Sequence, residues 1–268
     1  MKDVPEMCFE RFSYIFSRPD TKQGKLDLRA DLYLPGNSTG PWPLVVWAHA
    51  GGFRAGTRRN RKHGLIAETL AREGYAMACI DYRLARPPAV LTAPARRAMG
   101  ALIRDSEKWG EEMQEPFRRQ RPIAVVEDIC AFFKWINIRL EHFNLTGEFV
   151  LGGSSAGGIS VLNAIMLHDV IGQPLPTIRT GLVLSGGFAY PSFWRPTDTR
   201  FLAIHNPNDA HVPFSSVARI NELAGDQLDL IAAPEQPHGS PCLSPAEPLP
   251  VAVRRLVAFD QRQSFEEA

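Results

Sequence analysis

Short apolar segments alternate with segments of helical periodicity along most of this 268-residue chain, and this alternation limits the folds open to it. Leu44–Ala48 and Ala76–Ile80 are continuous apolar runs, which is typical of strands buried on both faces. From Pro122 onward, apolar residues recur every three to four positions, as on one face of a helix. Strands and helices in alternation predict a mostly parallel sheet covered by helices on both faces. We therefore expect a single α/β domain over residues 1–268.

The same criteria predict the other elements. The predicted strands are Asp27–Leu34, Leu44–Ala48, Ala76–Ile80, Phe149–Leu151, Leu182–Leu184, Phe201–Ile204 and Leu228–Ala232. The predicted helices are Thr57–Glu73, a helix opening at Pro122, Ala156–Leu167, Val212–Leu223 and Pro245–Phe259.

Residues 86–121 form a connection much longer than is usual between a strand and the next helix. The segment is rich in arginine with acidic residues interleaved, and its apolar residues fall roughly at helical spacing. It therefore predicts an inserted amphipathic helix or pair of helices. A lid over the site, a solvated surface extension and a homodimer face are all compatible with this pattern.

Charge and cysteine usage exclude several classes of function. The chain has 30 Lys and Arg against 29 Asp and Glu, and this balance gives no basic field for nucleic acid. No run of 18 apolar residues is present, so no membrane span is expected. The N-terminus lacks the apolar stretch of a secretion signal. The four scattered cysteines form no CxxC pair and no cluster with histidine, so no metal site is predicted and a reduced, cytoplasmic protein is expected.

The most informative motif is Gly153-Ser154-Ser155-Ala156-Gly157. It fits the Gly-x-Ser-x-Gly pattern between a predicted strand and a predicted helix, where a tight turn presents the central serine at the start of the helix. The free N–H groups and the dipole at that helix N-terminus favour developing negative charge. Ser155 is therefore the candidate nucleophile. Ser154 is the rival hydroxyl, but it does not have glycine on both sides at two residues' distance, since Ala156 stands at the second of these positions.

A serine hydroxyl needs a base, and the base needs an orienting acid. For this motif the expected chain order is serine, acid, histidine. Asp209 follows the predicted strand 201–204 and His238 follows the predicted strand 228–232, so both belong to loops at the carboxyl edge of the sheet. We predict Asp209 as the acid and His238 as the base. The competitors are His211, which follows the acid too closely, and Asp229, which lies inside a strand.

The same chemistry requires donors for an oxyanion. His49-Ala50-Gly51-Gly52-Phe53 directly follows a buried strand, and its glycines allow the backbone to approach a reacting carbonyl oxygen closely. We predict the N–H groups of Gly51, Gly52 and Ala156 as the oxyanion hole.

Together with Asp81-Tyr82-Arg83-Leu84, these motifs resemble the α/β-hydrolase fold, and more narrowly the hormone-sensitive-lipase-like and feruloyl or acetyl-xylan esterase-like carboxylesterases. The resemblance extends over residues 25–260. It implies a serine carboxylesterase that cleaves small acyl esters with Ser155, His238 and Asp209 and with no cofactor. Ala50 departs from the family, which often has glycine there, and the insert 86–121 is longer than usual.

Two other functions remain open from the sequence. Amide hydrolysis of the arylformamidase or aminopeptidase type uses the same motifs. A ligand-binding protein on this fold would usually lack one of the three catalytic residues, whereas all three are present here.

Overall fold

The computed structural model describes residues 8–36, 38–109 and 113–266. Its strands are β1 (Phe9–Ser17), β2 (Asp20–Thr21), β3 (Gly24–Lys25), β4 (Leu28–Pro35), β5 (Trp42–Ala48), β6 (Ala76–Ile80), β7 (Leu145–Ser154), β8 (Thr180–Leu184), β9 (Arg200–His205) and β10 (Leu228–Ala232). Its α-helices are α1 (Arg61–Arg72), α2 (Ala93–Trp109), α3 (Gln120–Asn137), α4 (Ala156–Leu167), α5 (Phe214–Ala224) and α6 (Leu249–Glu266).

Eight strands form one sheet in the order β1-β4-β6-β5-β7-β8-β9-β10, and β2 and β3 form a small separate ribbon. The two pairs that involve β4 are antiparallel, and the other pairs of the large sheet are parallel. The predicted mostly parallel sheet is thus confirmed. Because β5, β7, β9 and β10 run the same way, the segments that follow them meet at one edge.

Helices cover the sheet on both sides. On one face α1 and α6 pack over Val45, Trp47 and Val150. On the other face α3, α4 and α5 enclose the larger part of the core. Helix α4 contains no charged residue and all twelve of its residues are buried, which is why it lies at the centre of that layer.

The insert contains one α-helix, α2, followed by a 3₁₀ turn over Glu115–Phe117. Residues 110–112 lie outside the described residues. Leu91, Leu102 and Phe117 join the core from this segment, whereas Trp109 stays 43% exposed. The predicted amphipathic helix is therefore present. Its buried residues Ala95 and Leu102 belong to the same core cluster as residues of α3 and α4.

Some predicted boundaries were wrong for local reasons. Helix α5 begins at Phe214 and not at Val212, because Val212 precedes Pro213 and the residue before a proline is disfavoured in the helical conformation. Helix α3 begins at Gln120, two residues before the predicted Pro122. Strand β1 was not predicted, and it is an edge strand with only one of its nine residues buried.

None of the helices in the described part of the chain is long and apolar enough to cross a membrane.

Candidate active site

The turn between β7 and α4 holds Ser155 in a strained backbone conformation. Its φ is +55° and its ψ is −117°, a region that side-chain-bearing residues rarely adopt. A Cβ atom on Gly153 would lie 2.4 Å from the carbonyl carbon of Gly157, and one on Gly157 would lie 2.1 Å from the carbonyl oxygen of Ala48. Only glycine therefore fits at these two positions, which explains the spacing of the motif.

The structure brings Ser155, His238 and Asp209 together from three loops. Oγ of Ser155 lies 2.8 Å from Nε2 of His238, and Nδ1 of His238 lies 2.6 Å from Oδ2 of Asp209. A carboxylate can only accept hydrogen bonds, so Nδ1 carries the proton and Nε2 accepts from the serine hydroxyl. This arrangement can remove a proton from the hydroxyl.

Asp209 is held as an anion. Its side chain is almost fully buried. Burial raises the pKa of the carboxyl group, but hydrogen bonds from His238 and from the N–H groups of His211 and Val212 outweigh it, and the pKa lies below its ordinary value. His205 lies 3.7 Å from the same oxygen, and burial lowers the pKa of its imidazole. The negative charge of Asp209 therefore faces His238.

The competing residues stand outside the hydrogen-bonded line from Ser155 through His238 to Asp209. Ser154 is the last residue of β7 and pairs with Leu184 in the sheet. The ring of His211 packs against the ring of His238 with 4.6 Å between centroids, while Asp229 is exposed on β10. Asp260 is also buried, but its carboxylate accepts hydrogen bonds from Tyr75, Thr180 and Arg179.

The segment 49–53 lies beside the serine turn. The close approach of Gly157 to Ala48 fixes this proximity, because the segment continues directly from the end of β5. Gly51 and Gly52 both have positive φ, +138° and +59°, and a Cβ on Gly51 would lie 1.9 Å from the carbonyl oxygen of Ala55. Ala156 begins α4, so its N–H has no acceptor within the helix.

Tyr82 fixes the start of the segment 49–53 through two contacts with His49. Its hydroxyl donates to the carbonyl oxygen of His49 at 2.7 Å, and its ring stacks on the imidazole of His49 with centroids 4.2 Å apart. Burial keeps both groups neutral, since it raises the pKa of the Tyr82 hydroxyl and lowers the pKa of the His49 imidazole. Arg83 turns away and pairs with Glu127 and Asp128.

Comparison with known proteins shows which family and which solved structures this chain resembles. Over residues 30–99, about a quarter of the chain, the sequence matches the BD-FAE family. Thermogutta terrifontis esterase 2 superposes with a TM-score of 0.65 at 16% identity, covering 100% of this chain and 98% of that one. Brefeldin A esterase, a bacterial homologue of human hormone-sensitive lipase, superposes with a TM-score of 0.67 at 16% identity, covering 97% and 79%. The chain has the α/β-hydrolase fold. Among curated proteins the sequence has no match.

Two buried residues that were not predicted from the sequence hold the loop of His238. The hydroxyl of Ser185 accepts the N–H of Gly239 at 3.0 Å and donates to Oε1 of Gln236 at 3.3 Å. Nε2 of Gln236 donates to the carbonyl oxygens of Ile204 (3.1 Å) and Ser240 (2.7 Å). Gln236 thus ties the end of β9 to the loop on both sides of His238, and we refer to Ser185 and Gln236 as the loop bracket.

A cavity of about 320 Å³ opens beside His238. Ala50, Ser154 and Gly239 contribute to its wall, together with residues of α1. Phe188 and Tyr190, in the loop after β8, are buried in the core and pack edge to face.

Proposed function

We propose that the protein is a serine carboxylesterase that cleaves small acyl esters. The observation that carries the proposal is the continuous hydrogen-bonded line from Ser155 through His238 to the buried carboxylate of Asp209. The match of residues 30–99 to BD-FAE supports it, as do the fold neighbours. Structures of Thermogutta terrifontis esterase 2 include one phosphorylated by paraoxon and one with propionate bound.

In the first step, His238 takes the proton of the Ser155 hydroxyl at Nε2 while Oγ attacks the ester carbonyl carbon. Asp209 keeps the imidazole in the reactive tautomer and stabilises the imidazolium that forms. The same imidazolium then gives its proton to the departing alcohol oxygen, which leaves an acyl group on Ser155. In the second step His238 deprotonates a water molecule, which attacks the acyl carbon and releases the acid.

The negative oxygen of each tetrahedral intermediate needs hydrogen-bond donors. We propose the N–H groups of Gly51, Gly52 and Ala156 for this role, because their segments adjoin the serine turn. Loss of one such donor typically reduces the rate by about 10²–10³-fold. Gly51 and Gly52 cannot be replaced without strain, since both have positive φ.

The size of the cavity beside His238 supports a small substrate. Pockets for small molecules usually enclose about 300–1,000 Å³, and this one lies at the lower end of that range. We also propose a cytoplasmic location, because the four cysteines are buried and none of them is in a disulfide.

Hydrolysis of p-nitrophenyl acetate, butyrate and octanoate tests the proposal. Ser155→Ala is expected to lose at least about 10⁴-fold in kcat, since the hydroxyl that forms the acyl intermediate is gone. Ser154→Ala separates the two hydroxyls: Ser154 lines the cavity, so KM should change, but kcat should stay far above that of Ser155→Ala because the hydroxyl that bonds to His238 remains. A fluorophosphonate should label Ser155 in wild type and in Ser154→Ala.

The same preparation should be assayed with N-formylkynurenine and a peptide anilide. Faster turnover of either amide than of every ester would replace esterase activity with amide hydrolysis. Absence of labelling at Ser155 in folded wild-type protein would indicate a ligand-binding protein instead.

A further inference from the structure

A second and larger cavity, of about 770 Å³, lies between the insert and the start of α3. Its walls come from α2, from the residues that follow Tyr82 and from the 3₁₀ turn 115–117. Leu84, Leu91, Met99 and Ile103 make much of this wall apolar. Neither Ser155 nor His238 lines the cavity, so the catalytic residues do not account for it.

Four arginine side chains also line this cavity, and two of them are neutralised within the protein. Arg83 is buried and pairs with Glu127 at 2.7 Å and with Asp128 at 2.8 Å. Arg119 pairs with Glu115, another lining residue, at 3.1 Å. These two arginines therefore add little net charge to the cavity.

The other two, Arg96 and Arg121, have no carboxylate within ion-pair distance in the described ranges of the chain. Nη1 of Arg96 donates to the carbonyl oxygen of Leu91 at 2.5 Å. Nη1 of Arg121 is buried and, among the described residues, has no hydrogen-bond acceptor. A buried guanidinium nitrogen without an acceptor is unfavourable, and native proteins rarely leave such a group unsatisfied. An anion in the cavity would supply the missing acceptor for Arg121.

The walls decide what kind of anion fits. An inorganic ion would satisfy Arg121 but leave the apolar surface of Leu84, Met99 and Ile103 exposed to water. A carboxylate on an apolar chain would satisfy both, because its head can bind a guanidinium with two hydrogen bonds while its chain covers the wall. We propose that this cavity binds an organic carboxylate with an apolar body, with Arg121 and Arg96 as its cationic partners.

The cavity adjoins the segment 49–53. The N–H of Ala85, a lining residue, donates to the carbonyl oxygen of Phe53 at 2.8 Å. Phe117, which follows the lining residue Pro116, packs against Phe53 with 6.0 Å between ring centroids. The carboxylate therefore has two sources: a free acid, or the far end of an ester substrate whose reacting carbonyl lies at Ser155. The second source rests on the proposed esterase function.

Calorimetry with octanoate tests the site on the Ser155→Ala protein, so that the result does not depend on hydrolysis. Octanoate should bind at least tenfold more tightly than the neutral 1-octanol. Arg121→Gln should weaken octanoate binding at least tenfold and leave 1-octanol unchanged. The matched control is Arg97→Gln, because Arg97 is an exposed residue of α2 that does not line the cavity.

A second variant tests the same cavity independently, in case Arg121→Gln fails to fold. Met99→Trp fills the apolar part of the cavity from a partly buried position and should abolish octanoate binding. The proposal is overturned if octanoate gives no binding heat at millimolar concentration, or if it binds both cavity variants as tightly as the Arg97→Gln control.

Kinetics on the protein with Ser155 intact distinguish the two sources. For a substrate carboxylate, Arg121→Gln lowers kcat/KM at least tenfold for the mono-p-nitrophenyl ester of suberic acid and leaves p-nitrophenyl octanoate unchanged. For a free acid, both esters are unaffected by the substitution while the calorimetric difference persists. If no ester is cleaved at all, the esterase proposal fails while the binding experiment still decides the cavity.

Discussion

Removing the amide of the loop bracket should displace His238. Gln236→Met keeps the approximate size of the side chain but removes its amide. Three hydrogen bonds are lost: those that Nε2 donates to Ile204 and Ser240, and the one that Oε1 accepts from Ser185. Gln236 is only 2% exposed, so water cannot readily replace them.

The magnitude follows from that count. At a net value of about 1 kcal/mol for each hydrogen bond, the free energy of unfolding should fall by about 3 kcal/mol. The catalytic effect arises because Ser185 loses its own acceptor and no longer fixes the N–H of Gly239, the residue after His238. A displacement of about 1 Å at a reacting group typically costs about 10²-fold in rate. We therefore expect kcat to fall about 10²-fold with little change in KM.

Urea unfolding and p-nitrophenyl butyrate kinetics measure the two effects on the same protein. Gln227→Met is the matched control, since Gln227 donates a side-chain hydrogen bond to the carbonyl oxygen of Thr197, away from His238. A Gln236→Met protein that is folded and retains kcat within twofold of wild type would refute the positioning role. An equal loss of kcat in the Gln227→Met control would show that the effect is not specific to the bracket.

Three further predictions concern single residues. Gly157→Ala places a Cβ atom 2.1 Å from the carbonyl oxygen of Ala48, so we expect about 1–3 kcal/mol of destabilisation in urea titrations; an unchanged midpoint contradicts the steric argument. Asp209→Asn should lower kcat about 10⁴-fold in ester assays, because an amide favours the wrong imidazole tautomer; a loss below tenfold excludes Asp209 as the acid. Burial raises the pKa of Asp31, but hydrogen bonds from Arg58 and a serine outweigh it and leave the pKa below 3.8. The stabilisation by the Asp31 carboxylate is therefore complete above about pH 3.8 and is lost as the pH falls through the lowered pKa. The difference in unfolding free energy between wild type and Asp31→Asn should shrink over that range, and a constant difference opposes the assignment.

Local signals in the sequence were sufficient for the mostly parallel character of the sheet and for assigning three candidate residues to the loops at its edge. Strands buried on both faces of a parallel sheet have continuous apolar sequences, so β5 and β6 could be predicted directly from the sequence. Gly153 and Gly157 mark the serine turn because side chains at these positions would collide with backbone. The positions of Asp209 and His238 followed from the order of strands along the chain.

The loop bracket had no comparable signal. Ser185 and Gln236 are 51 residues apart in the chain, and their contact depends on how β8 and β10 end in space. A serine after a strand and a glutamine before a histidine are ordinary in loops, so neither residue stands out. The edge strand β1 was missed for a different reason: only one of its nine residues is buried, and it lacks the apolar run that identified the central strands.

The backbone conformation of Ser155 has a consequence for the evolution of this turn. A φ of +55° costs a residue with a Cβ atom on the order of 1–3 kcal/mol, whereas glycine adopts it freely. Ser155→Gly should therefore resist heat better than Ser155→Ala, although neither has a hydroxyl. A homologue whose function did not require the Ser155 hydroxyl would gain thermal stability from the single replacement of this serine by glycine.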